Sequence, residues 1–306
     1  MKFEEPLFWK SKNLLSTLLL PISILYQIII KILDNLSNKK FFEQPIICVG
    51  NIYLGGTGKT PLTIKLYNAF RKKKAAVVRK FHKSHKDEIN LTNYYVDDFF
   101  VNKSRVEGIK EAIRKNSKLI ILDDGMQDPN ISADINIACF KSNKLIGNEL
   151  TLPAGPLRES LSSIKKCNFV VINGNKNKKF ENKLLQLQPY IKIYYSRYSS
   201  LNHKIFKGKK VLAFCGIGNS NDFFHILEKN KIKIMKKVSF PDHYELKDED
   251  IKKLNSDAKK EKLILLTTEK DYFRIRNKDK RNIKFLKIKL FIEKEKKFFD
   301  DIKKFL

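Results

Sequence analysis

Cysteine is scarce in this chain: Cys48, Cys139, Cys167 and Cys215 are the full set, and no two stand at a metal-binding spacing. Most lie in apolar, strand-like runs, which reads as buried thiols in a reducing compartment. The five histidines are equally scattered. Only His82 and His85 stand close together, in a Lys-rich stretch without cysteine, so a structural zinc site is not expected. Acidic charge is also short, with 33 Asp and Glu against 62 Lys and Arg, a formal net charge of +29. That balance suits anionic lipid headgroups, a phosphorylated substrate or nucleic acid. Lys, Asn, Ile and Phe are abundant along the whole chain, however, as an AT-rich genome would produce, so charge by itself selects no partner. A nucleic-acid role rests on charge alone and none is expected. No internal repeat of fixed period is visible. No Asn-Lys-x-Asp guanine-reading motif is present, since Asn277-Lys278-Asp279 is followed by Lys280.

Long apolar runs are almost as rare. Residues 13–30 carry no charge and are mostly Leu and Ile, with Lys10 and Lys12 before them and Lys31 just after. The run is barely long enough to span a bilayer, is interrupted by Pro21, and includes Ser16, Thr17, Ser23 and Gln27. A helix lying in one leaflet, a transmembrane helix and a buried core helix all remain open, with a membrane-associated N-terminal helix over residues 1–40 the expectation. A cleaved signal peptide fits worse, because Glu4 and Glu5 precede the run and no small-residue cleavage site follows.

What is present is most informative between Cys48 and Pro61. A short apolar strand runs into Gly55-Gly56-Thr57-Gly58-Lys59-Thr60 and then a helix. Glycines let backbone N–H groups close around phosphate oxygens, and the helix N-terminus adds its positive end. Lys59 can reach the terminal phosphates, and the Thr60 hydroxyl can hold Mg²⁺. The strict pattern wants a glycine at Tyr53, so the match rests on Gly58-Lys59-Thr60, the extra glycines and the strand-to-helix context. A plain Gly-rich turn is the bland alternative. Nucleotide binding is the working premise.

Strands alternating with helices follow. Helices are expected near 62–73, 105–116, 222–228 and 248–258, strands at 75–78, 99–101, 119–122, 135–140, 169–172 and 191–195, and a second alternation of strands from residue 210 to 267. Residues 79–88 read as a basic loop, 173–183 as a surface connection and 293–306 as an amphipathic closing helix. The fold class is therefore α/β: a P-loop NTPase-like, mostly parallel sheet with helices on both faces over 41–200, and a smaller C-terminal α/β domain over 201–306.

Asp123 and Asp124 end an apolar strand, where a nucleotide-binding sheet holds its second metal-binding element; one carboxylate can bind Mg²⁺ while the other stabilises transferring groups. An ordinary Asp-Asp-Gly turn is the alternative. Residues 152–159, Leu-Pro-Ala-Gly-Pro-Leu-Arg-Glu, form a stiff loop delivering Arg158 and Glu159, and Arg is the side chain best shaped to grip phosphate. His243 follows a strand and needs a carboxylate partner to matter, for which Asp87 is the candidate.

Together these runs, with Gln127, Gly216-Ile217-Gly218-Asn219 and Thr267-Thr268-Glu269-Lys270-Asp271, resemble the tetraacyldisaccharide 4'-kinase family, in the right order over nearly the whole chain. The resemblance implies a membrane-associated P-loop enzyme of two α/β domains on the cytoplasmic face of a bacterial inner membrane. Such an enzyme transfers the ATP γ-phosphoryl group to the 4'-hydroxyl of a lipid A precursor, a tetraacylated glucosamine disaccharide 1-phosphate. It implies that Lys59 and Thr60 serve ATP and Mg²⁺, that Asp123 and Asp124 serve metal and catalysis, and that Gln127, Arg158 and Glu159 line the site. The family's Asp-Glu motif matches Asp87-Glu88, whose Asp is the proposed general base with the histidine matching His243, and Arg105 matches a site arginine. Arg79-Lys80-Phe81 replaces the family's Arg-Gly-Tyr, and Asp128 stands where the family has His. A membrane-surface P-loop hydrolase or switch that phosphorylates no lipid is the alternative, although Leu54 lacks the extra Lys that one branch of that group uses.

Overall fold

The computed structural model describes residues 5–218, 220–241, 244–276 and 280–306, apart from the Ser84 side chain. His243 therefore lies outside the described residues, as do Asn219 and 277–279. The chain folds into two compact units, each discontinuous in sequence: a larger one of residues 5–81, 96–197 and 290–306, and a smaller one of 82–95 and 198–289. The smaller unit takes 82–95 as well as its long segment from Tyr198, and the larger takes the chain's last segment.

The elements of the larger unit, in chain order, begin with α1 (Leu14–Leu18), α2 (Leu20–Leu36), β1 (Ile46–Gly50), α3 (Lys59–Phe70) and β2 (Ala75–Lys80). The smaller unit supplies α4 (Lys86–Tyr95), after which come β3 (Phe99–Asn102), α5 (Arg105–Arg114), β4 (Leu119–Asp123), β5 (Ile135–Lys141), β6 (Phe169–Asn173), α6 (Lys178–Leu187) and β7 (Lys192–Ser200). The rest of the smaller unit holds α7 (His203–Phe206), β8 (Lys210–Cys215), α8 (Ser220–Lys229), β9 (Lys233–Ser239), α9 (Asp248–Lys260), β10 (Ile264–Thr268), α10 (Glu269–Arg274) and β11 (Ile283–Leu286). The chain then returns through β12 (Ile288–Ile292) to α11 (Glu295–Lys303).

The large sheet has the order β12-β7-β6-β5-β1-β4-β2-β3, and β1 pairs in parallel with both β4 and β5. The central strands are mostly apolar along their length, as a sheet covered on both faces requires. Ile46, Cys48, Ile120, Leu122, Ala76 and Val78 join Ile109 and Ala112 of α5 in one core. The residues between them, Ile47, Val49, Val77 and Ile121, are fully buried as well, because alternate side chains point to opposite faces. The small sheet, β11-β10-β8-β9, is parallel throughout and repeats the device. Val211, Ala213 and Cys215 pack with Phe223, Phe224 and Leu227 of α8, while Leu212 and Phe214 pack with Ile251, Leu254 and Ala258 of α9. All four cysteines are buried and unpaired to one another, and burial pushes the Cys139, Cys167 and Cys215 thiols up to about 12.

Two segments depart from expectation. The basic loop of 79–88 is the end of β2, a 3₁₀ turn at Lys83–His85 and the start of α4. The surface connection of 173–183 contains the start of α6, capped by Asn177, which accepts from the Phe180 amide at 2.9 Å and buries Phe180 and Leu184 one turn apart. The core-helix reading of the N-terminal run fails: along α2 only Ser23 is buried, whereas Ile22, Ile24, Leu25, Ile32 and Leu33 are exposed. No described helix is long and apolar enough to cross a membrane.

Candidate active site

β1 and β4 are neighbours in the centre of the large sheet, and their C-terminal ends lead into the glycine loop and the aspartate pair respectively. Ligands of open α/β sheets gather at such carboxyl ends, where strand order reverses. Gly55 and Gly58 hold φ of +117° and +95°, conformations that side chains rarely adopt. Gly58 caps α3, and no side chain covers the helix's first amides, so these donors and the helix dipole point at whatever occupies the loop. Thr57 is buried with its hydroxyl unpartnered.

Asp123 is wholly buried and accepts from Thr60 Oγ1 and Thr63 Oγ1, both at 3.2 Å, and from the guanidinium of Arg79. Asp124 faces the opposite set. Lys59 Nζ lies 3.6 Å from its Oδ1, and Arg158 donates to both carboxylate oxygens at 3.2 and 3.3 Å. Burial raises the Asp124 carboxyl, but Lys59, Arg158, Arg79 and Arg105 outweigh it and hold the group well below the usual carboxylate range. Arg105 donates to the Asp124 carbonyl and, at 3.0 Å, to Asp128 Oδ2. Asp128, which stands where the family has His, is thereby paired with Arg105. Gln127 connects the set: its Nε2 donates to Asn51 O at 2.9 Å and to Glu159 Oε1 at 2.7 Å, and its Oε1 accepts from Arg158 at 3.3 Å. Burial raises the Glu159 carboxyl despite that hydrogen bond.

Lys59, Arg105, Asp124, Gln127, Arg158 and Glu159 thus form one connected network in the larger unit, and Thr60 and Asp123, their chain neighbours, form a second set with Arg79. Asp87 and Glu88 belong to the smaller unit. Asp87 is buried in the first turn of α4, where it accepts from Arg274 at 2.7 Å with Lys270 Nζ at 3.3 Å; Lys270 also lies 3.7 Å from Glu88. Arg274 further donates to the carbonyls of Gly216 and Tyr244, both at 3.1 Å, and lies 3.2 Å from Asp271. These partners were missed by sequence reasoning, which sought a histidine for Asp87; the signal available was the Lys270-Asp271 pair with Arg274 one turn on.

The model of the tetraacyldisaccharide-1-P 4'-kinase family matches residues 15–97 and 87–306 of the chain. The chain belongs to this family. A tetraacyldisaccharide 4'-kinase of Pelagibacter ubique is 39% identical over 305 residues, covering 97% of this chain and 96% of the relative. The tetraacyldisaccharide 4'-kinase of Rickettsia typhi is 31% identical over 293 residues, covering 89% of each. Among solved structures, LpxK from Aquifex aeolicus in complex with ATP superposes with a TM-score of 0.72 at 26% identity, covering 95% of this chain and 99% of that one. Membership of this kinase family agrees with a glycine loop at a helix start beside a clustered aspartate pair, and leaves the non-kinase P-loop reading without support.

Proposed function

We propose that the protein transfers the γ-phosphoryl group of ATP to the 4'-hydroxyl of a tetraacylated glucosamine disaccharide 1-phosphate, a lipid A precursor. The observation that carries the reading is the start of α3, whose first amides no side chain covers, with Lys59 and Thr60 beside Asp123 and Asp124. Phosphoryl transfer asks the protein chiefly for position and charge. Lys59 binds the terminal phosphates, exchanging its contact with Asp124 for theirs, and Arg158 offers planar donors to phosphate oxygens. Arg105 fixes the Asp124 backbone, and Gln127 and Glu159 hold Arg158 in line. The donor set also fits Mg²⁺: Thr60 Oγ1 and Asp123 Oδ2 are hard oxygens 3.2 Å apart, and Mg²⁺ commonly takes one or two protein oxygens and completes its shell with phosphate and water. When bound, Mg²⁺ would neutralise charge on the phosphates. In the smaller unit, Asp87 would accept the hydroxyl proton, with Glu88 beside it, and the family resemblance gives His243 the assisting role.

The domain roles follow from the same reading, with the larger unit binding nucleotide and the smaller carrying the base. The exposed apolar side chains of α2, with Lys10, Lys12 and Lys31, suit the surface of the inner membrane on its cytoplasmic side, where the acceptor resides. Incubation of purified protein with ATP, Mg²⁺ and the tetraacyl disaccharide 1-phosphate should give a 4'-phosphorylated product; nucleotide turnover indifferent to the acceptor would instead mark a hydrolase. Deleting residues 1–36 should release the protein from membranes, and a truncated protein that stays bound through high-salt washing would place the anchor elsewhere.

A further inference from the structure

α2 reverses the usual arrangement of a surface helix. Its apolar side chains face outward, and what it turns toward its own unit is polar. Ser23 Oγ donates to Thr151 O at 3.0 Å and accepts from the Ala154 amide at 2.9 Å. Gln27 Nε2 donates to Thr151 Oγ1 at 3.0 Å, and the Tyr26 hydroxyl donates to the Arg158 carbonyl at 3.0 Å. Positions 23, 26 and 27 share one helix face by their spacing of three and four. The segment they grip is fastened on its other side to the phosphate loop, through Arg158 N to Ile52 O at 2.7 Å and Leu54 N to Pro156 O at 2.8 Å. Arg158 is therefore held at three points: carbonyl by Tyr26, amide by Ile52, guanidinium by Asp124.

We propose that Tyr26 is a positioning residue for phosphoryl transfer, fixing through the Arg158 carbonyl the placement of the guanidinium that meets Asp124. The inference rests on the kinase reading given above. Misplacement of a charged group by a fraction of an ångström weakens transition-state contacts more than ground-state binding. Burial and the nearby Glu159 carboxylate raise the Tyr26 phenol above its ordinary value, so it remains a donor at neutral pH.

The test is Tyr26→Phe in the full chain, which deletes one hydroxyl and keeps the ring. Single-turnover transfer from radiolabelled ATP to detergent-dispersed tetraacyl disaccharide 1-phosphate should slow roughly three- to tenfold, the range of one lost neutral hydrogen bond, while the melting midpoint falls by only a few degrees, leaving the protein fully folded at the assay temperature, and the apparent KM for ATP stays at the wild-type value. In an Arg158→Lys background the same change should have less than about a twofold effect, because residues acting through one another are not additive. Wild-type transfer by Tyr26→Phe, a loss confined to KM, or an undiminished effect in the Arg158→Lys background would overturn the role. A wild-type protein that labels no acceptor would overturn the kinase reading instead, so the two failures are distinguishable.

Discussion

Replacing Arg79 by Met should separate what holds the larger unit together from what it does. The guanidinium and the Asp123 carboxylate are 3% and 0% exposed, so neither charge has recourse to solvent. Thr60 and Thr63 would still donate to Asp123, but neutral hydroxyls do not replace a cation. Breaking one half of such a buried pair costs about 3–5 kcal/mol. For a unit of this size each kcal/mol lowers Tm by roughly 2–4 °C, so the midpoint should fall by about 6–20 °C. The double variant Arg79→Met with Asp123→Asn removes both charges, and the new amide can still pair with the two threonines; most of the lost stability should return. Activity should not return with it, since Asp123 is the oxygen donor proposed for Mg²⁺. Scanning calorimetry of the three variants with a parallel transfer assay decides the matter. A single variant that melts within about 2 °C of wild type, or a double variant no more stable than the single, would refute the account of the pair.

Lys59→Ala should leave the fold intact, because Asp124 keeps Arg158 and Arg105; kcat should drop by about 10²–10³, and a folded variant with near-normal turnover would remove the loop from the site. The two site carboxylates should act oppositely on stability with pH. Glu159 titrates higher in the folded state than unfolded, so its contribution is lost as pH rises through the folded value, and Glu159→Gln should flatten the fall in Tm above the ordinary glutamate range. Asp124 titrates lower when folded, so its contribution is present above the unfolded value and lost as pH falls; Asp124→Asn should make the acid limb of Tm against pH shallower, and an unchanged limb would contradict the four-cation account. Arg274→Met removes one of the cations beside the buried Asp87 and should lower the melting midpoint of the smaller unit while fluorescent-nucleotide affinity stays at the wild-type value; weakened nucleotide binding would count against assigning that role to the larger unit.

The central strands and the chemistry at their ends were readable because two signals coincide there. β1 and β4 are continuous apolar runs, and each is followed by residues with little other use, Gly58-Lys59-Thr60 and Asp123-Asp124. The helix after the loop begins at Lys59 rather than at 62, because the left-handed Gly58 is itself the cap. α4 was missed because its sequence, Lys-Asp-Glu-Ile-Asn-Leu-Thr-Asn-Tyr-Tyr, lacks an apolar stripe; it is stabilised by tertiary contact, as where Tyr95 donates to Glu269 and Asn90 to the Phe273 carbonyl. Propensity yields to such contacts. α6 had a usable signal in Asn177 with Phe180 and Leu184, masked by the surrounding Lys and Asn. The Arg274 partnership with Asp87 joins residues 187 positions apart, a distance over which local pattern carries no information.

The return of the last segment to the larger unit sets a timetable for synthesis. Phe298 of α11 packs against Tyr194 at 5.0 Å and Phe169 at 6.1 Å, and Tyr194 donates to Asp301 at 2.6 Å. Domains emerging from a ribosome ordinarily fold in the order they are made. Here the glycine loop is translated early, yet the edge of its sheet at β7 stays uncovered until residues beyond 290 have left the exit tunnel. The smaller unit's residues 198–289 emerge during that wait and can complete their own sheet first. A nascent chain stalled before α11 would present Phe169 and Tyr194 to water, making it a natural client for chaperones that recognise exposed aromatic surface.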